Sequence, residues 1–250
     1  MVDMLVKTVE MKAALWLNSF FYYFRRLWLV GRLMPETIYA NTALKKVLSY
    51  VAVAVQQLSG FFSKPLYLLL FVWLPAVWLQ ARQPQMAGQQ FALFVSILFF
   101  LNCMVGPFGD STVFSVTREK VTFLKYMRVS ARRYIQAALL LRYVPFLAYY
   151  LFWLVVAACL LGAGPAAGVA LWLVFAAFRM LGEAAQVYLY DKTGRVISRS
   201  TAYELALIAL GLASAYLPAA LGMHWPVALA GVLLHPAFVA VCVLVGAACA

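Results

Sequence analysis

Residues 65–81 read PLYLLLFVWLPAVWLQA, a run without a single charged side chain, closed by Lys64 on one side and Arg82 on the other. A helix that crosses a bilayer needs about 20 mostly apolar residues, so this run reads as a membrane span. Five more follow it, at residues 90–108, 135–161, 168–190, 203–222 and 226–249. The composition of the 250-residue chain agrees, with 66% hydrophobic and 11% charged residues. A soluble domain carries about 45–50% apolar and about 25% charged residues, and a sphere of this size has no interior for the excess. Disorder is excluded on the same ground. The expected fold class is all-α: a polytopic integral membrane protein with about six transmembrane helices.

The net charge is +12. In a soluble protein that value raises the question of nucleic acid; here the distribution answers otherwise. Seventeen of the 20 Lys and Arg residues fall in three segments: residues 1–64, the loop between the second and third spans, and the loop between the fourth and fifth. The opposite loops hold Arg82 alone, and Arg142 and Arg179 lie within spans. Basic loops stay on the cytoplasmic side. The reading is a multi-pass protein of the cell membrane with both termini cytoplasmic, touching lipid and no nucleic acid. Residues 1–12, MVDMLVKTVEMK, have no apolar core of the signal-peptide kind. The final VCVLVGAACA ends in an apolar run without a basic anchor, as expected of a span that stops there or of a chain cut from a longer protein.

The first 64 residues read as a separate cytoplasmic and interfacial region, and residues 65–250 as the transmembrane domain. Within 44–62, Leu44, Val47, Leu48, Val51, Val55, Leu58 and Phe62 recur at helical steps, giving one apolar face. Lys45, Lys46, Gln56 and Gln57 fall largely elsewhere. Such a helix lies along the headgroup layer. The aromatic run 15–34 is interrupted by Arg25, Arg26 and Arg32, too expensive for the centre of a span, and is read the same way.

The loop at 109–134 is the most informative soluble segment. Over 117–127, Phe123, Leu124 and Met127 can project as an apolar knob, while Arg118, Glu119, Lys120 and Lys125 hold the rest in water. An apolar knob on a short charged helix suits a partner's groove; the plain alternative is a solvated loop anchored by lipid phosphates. The run Thr117–Arg118–Glu119–Lys120–Val121–Thr122–Phe123–Leu124–Lys125, followed by Met127–Arg128–Val129–Ser130–Ala131–Arg132–Arg133–Tyr134, resembles the coupling-helix signature of the membrane subunits of ABC exporters of the ABC-2 type. It departs from that signature at Val121, where a Gly is usual, and at Ala131, where a Pro is common. The order of elements resembles that family over nearly the whole chain. The resemblance implies a subunit paired with a separate ATPase, with Thr117, Arg118, Glu119, Phe123, Leu124 and Met127 at the ATPase dock and residues 44–62 as the connecting helix. It also implies a second copy or a paralogue to complete the pathway.

The remaining motifs have plainer readings. No GxxxxGK[ST] loop is present, so the chain is not expected to be an enzyme or to hold a cofactor; any ATP hydrolysis belongs to a partner. Asp191–Lys192–Thr193–Gly194–Arg195 is similar to the phosphorylation site of P-type ATPases but sits in a loop of about a dozen residues, where a turn with Gly194 at positive φ is expected. Arg179 and Glu183, four apart in the fourth span, share a face; they read as a packed polar pair or as a patch on the pathway or subunit interface. His224 and His235 have no Cys, Asp or Glu neighbours for a metal set. Cys103, Cys159, Cys242 and Cys249 lie in apolar runs and read as small apolar residues. The expected function is the permease subunit of an ABC exporter. The alternatives are a non-transporting membrane scaffold or assembly factor and, less favoured for want of a catalytic set, a lipid enzyme.

Overall fold

In a computed structural model, the described residues are 2–26, 42–83, 88–109, 113–114, 118–196 and 200–249, and all regular structure among them is helical. Five helices are long and apolar enough to cross a membrane, or six if one bent pair counts as a single span. The chain divides into two compact units: Met1–Ser63 with Val116–Val144, and Lys64–Ser115 with Pro145–Ala250. Residues 118–134 of the loop that the sequence reading bounds at 109–134 fall in the first unit.

The first unit holds α1 (Val2–Arg25), most of α2 (Thr42–Tyr67), the short α6 (Arg118–Val121) and the first half of α7 (Ala131–Leu160). Leu17 of α1 packs on Ala52 and Leu48 of α2. The small Ala52 side chain lets the helices approach. Of the expected apolar stripe of α2, Leu48 makes this contact, whereas Val47, Val51, Val55, Leu58 and Phe62 are exposed. Residues 27–34 of the aromatic run lie outside the described residues.

One unbroken helical stretch runs from Thr42 to Arg82, through α2, a π-helical segment (Leu68–Trp73) and α3 (Leu74–Arg82). The surface helix and first span of the sequence reading are therefore one continuous element. Its irregularity has an identifiable cause. Pro75 has no N–H to donate to the carbonyl one turn earlier, that of Phe71. Tyr216 of α9 (Thr201–Ala220) donates its hydroxyl to that oxygen instead, at 2.6 Å. At the end of α9, Gln83 Nε2 donates to the Ala220 carbonyl at 3.0 Å, satisfying one of the acceptors that a helix terminus leaves open.

The centre of the second unit is α4 (Gln90–Leu98), in which every residue from Leu93 to Leu98 is buried. A helix apolar on all sides needs neighbours on all sides. It continues as a π-helical segment (Phe99–Val105) and α5 (Gly106–Gly109). Around it pack α3, α9 and α10 (Trp225–Leu233). Helix α8 (Pro165–Thr193) pairs most extensively with α11 (Pro236–Cys249). Gly246 makes that approach possible: a Cβ there would lie 2.9 Å from the Ala177 Cα. Helix α8 ends at Gly194, at φ 64°, whose N–H donates to Tyr190 O at 2.8 Å.

The sixth expected span is not straight. It breaks after α10, and α11 leaves at 63°. Pro236 lacks an N–H and disfavours helical backbone at the residue before it. His235 closes the break: its Nδ1 accepts from the Ala237 N–H at 3.3 Å.

Candidate functional site

The candidate residues fall in two places, and each is built within its own unit. In the first unit, α6 lies against α1 and continues as a single π-helical segment, Thr122–Tyr126. The segment ends on Arg128, which takes a left-handed backbone at φ 51°. There the Met127 N–H bonds to Thr122 O and the Val129 N–H to Phe123 O, both at 3.0 Å. This is the reversal that normally favours glycine, and it redirects the chain into α7 within a few residues.

That tight reversal corrects one expectation. Phe123 is not part of an exposed knob; it is 1% exposed and its ring sits 5.4 Å from that of Tyr134. Leu124 is half-buried. An aromatic ring on a segment this short gains more from the start of α7 than from water. The exposed apolar side chains are Val121, Tyr126 and Met127, with Tyr126 the most open at 73%. Met127 is thus exposed, Phe123 is buried beneath with Leu124 half-buried beside it, and Tyr126 is an exposed aromatic side chain that the sequence reading did not single out. Arg118 and Glu119 are in α6; Thr117 lies outside the described residues.

In the second unit, one face of α8 presents Arg179, Gly182, Glu183, Gln186 and Tyr190, at successive helical steps. Arg179, Glu183 and Gln186 are all buried. Against this face sits α5, the end of the second span. Gln186 Nε2 donates to the Pro107 carbonyl at 2.7 Å, capping a terminus too short to satisfy itself. Gly182 packs directly on the Pro107 ring, with no room for a Cβ. The Arg179 guanidinium lies over Gly106 and 5.4 Å from the Phe146 ring centroid. Beyond α5, the Phe114 ring meets that of Tyr190 at 4.8 Å. The segment leading into the loop is thus fastened to α8 at three levels.

Behind Arg179 lies an aromatic cluster. Phe146, Tyr150 and Phe175 have centroids 4.6–5.8 Å apart, and Lys64 Nζ stands 4.7 Å above Phe146. Cations over ring faces are stabilised by the ring quadrupole, most strongly where water is scarce. Two amide atoms in this region, Gln186 Oε1 and Asn102 Nδ2, are buried without a hydrogen-bond partner in the protein. The arrangement can hold charge in an apolar bundle and fix the position of α5; among the described residues, no group of side chains is able to hold a metal. Sequence reading found Arg179 and Glu183 but not Gln186 or Gly182, although both recur on the same helical face. No family model, curated protein or solved structure matches this chain.

Proposed function

We propose that this chain is the membrane-spanning permease subunit of an ABC exporter of the ABC-2 type, driven by a separate ATP-hydrolysing subunit. The support comes from its loop resemblance, its basic inner segments and, above all, one structural observation: the end of the second span is clamped to α8 by Gln186, Gly182 and Tyr190. The end of the second span and α8 then move as one body. Val121, Tyr126 and Met127 form the dock, with Arg118 and Glu119 beside them; Phe123 and Leu124 stiffen it from below. A second copy or a paralogue completes the pathway in the cell membrane, with the N-terminus cytoplasmic. ATP-driven closure of the paired ATPases pushes on the dock, and α7 carries the motion into the spans.

The test is co-purification. A phosphate-loop ATPase is expected to co-elute with the wild-type chain and to be lost from Tyr126→Asp/Met127→Asp, while the thermal unfolding of the variant stays unchanged because both side chains are exposed. Retention of the ATPase by that variant, or a wild-type complex with no ATPase in it, defeats the reading and leaves the scaffold alternative.

A further inference from the structure

In the first unit, α2 turns one side to α1 and leaves the adjoining side open. Leu48 and Ala52 meet Leu17 of α1, whereas Val47, Val51, Val55, Leu58 and Phe62 are each at least 50% exposed. Since each residue turns a helix by about 100°, these five fall within about 80° of one another. They form one continuous apolar stripe, of the kind that marks an interaction surface. The 36 residues from Val47 to Arg82 rise about 54 Å as a helix, far more than the ~30 Å of a hydrocarbon core. A helix that crosses the core with its later turns therefore leaves much of this stripe outside it.

Charge decides what covers it. The first unit, residues 1–63 and 116–144, holds 14 Lys and Arg against 4 Asp and Glu, so it carries +10 of the chain's +12. No acidic residue lies between Glu36 and Asp110. A second copy of this unit on the stripe brings +10 against +10, which is repulsive. An anionic lipid surface instead attracts the charge and accepts the apolar side chains at its headgroup–acyl boundary. The local sequence also permits the docking. The Ser59 hydroxyl donates to Gln56 O at 3.0 Å and that of Ser63 to Gly60 O at 2.9 Å, and Pro65 has no N–H for the Phe61 carbonyl. Such features are where helices bend, so α2 can lie along a surface without interrupting the span that follows.

We infer that the first unit docks on an anionic membrane surface through the open stripe of α2. The inference requires membrane embedding but neither transport nor an ATPase, so either reading can fail alone. The test uses the full chain with Cys103, Cys159, Cys242 and Cys249 replaced and a nitrobenzoxadiazole fluorophore on Val51→Cys or Leu58→Cys. Each labelled protein is placed in nanodiscs of phosphatidylcholine alone or with added phosphatidylglycerol. Lipids with nitroxide-labelled acyl chains report contact with the bilayer, and iodide reports contact with water. Nitroxide quenching is expected with phosphatidylglycerol present and is lost in pure phosphatidylcholine, where iodide quenches instead. About 1 M salt, which shortens the Debye length to about 3 Å, removes the effect of phosphatidylglycerol. Val55→Asp, beside the label at position 51 and exposed in the folded unit, abolishes nitroxide quenching there. Iodide quenching alone in both compositions overturns the inference, as does equal nitroxide quenching in both. Shielding from both quenchers overturns it too, because a second copy or another protein then covers the stripe. The two lipid compositions are compared on the same labelled protein, so the result stands even if Val55→Asp fails to fold.

Discussion

Phe123 is the residue at which packing overrides the apparent logic of its neighbours. Its loop is short, charged and basic, yet the ring is buried against Tyr134 and the chain reverses on a non-glycine residue, Arg128, to keep it there. Truncating a buried aromatic ring costs about 3–5 kcal/mol. Phe123→Ala is therefore expected to release the loop: amide hydrogen exchange across 118–134 rises by orders of magnitude, while the helices of the second unit keep their protection. Unchanged exchange in that segment refutes the anchoring role.

Between helices, the decisive groups are backbone carbonyls that local sequence leaves without a donor. Pro75 leaves the Phe71 oxygen open, and Tyr216 fills it. Tyr216→Phe is expected to lower the stability of the detergent-solubilised protein by about 1 kcal/mol. In a Pro75→Ala background the helix supplies its own donor, and the same substitution loses most of its effect; additive effects in this double-mutant cycle break the proposed link. The clamp between α5 and α8 gives a second prediction. Gly182→Ala forces a methyl group into the Pro107 ring, and overpacking of this kind costs about 1–3 kcal/mol. Gly231→Ala, in α10 with nothing within 4 Å of the new Cβ, serves as the control and is expected to leave thermal unfolding unchanged or slightly raised. Equal behaviour of the two variants removes Gly182 from the argument.

At the scale of the whole molecule, orientation is carried by the distribution of Lys and Arg. In a background with Cys103, Cys159, Cys242 and Cys249 replaced, single cysteines at Gly88 and Gly162 are expected to react with a membrane-impermeant maleimide in intact cells. Cysteines at Tyr126 and Gly194 react only after the cells are opened. The reverse pattern inverts the topology and with it the proposed dock.

The sequence by itself determined the all-helical class, the approximate positions of the apolar helices and the presence of Arg179 and Glu183 on one face, because these follow from composition and helical period alone. It located the loop helix too, through its alternation of charged and apolar residues. Only the tertiary structure decided that Phe123 turns inward, that most of the α2 stripe is left open while Leu48 and Ala52 take the contact, and that Gly182 and Gln186 hold α5. The physical reason is common to all three. Each is settled by which neighbour reaches a side chain or an orphaned carbonyl first, and that neighbour lies far away along the chain, where periodicity carries no information.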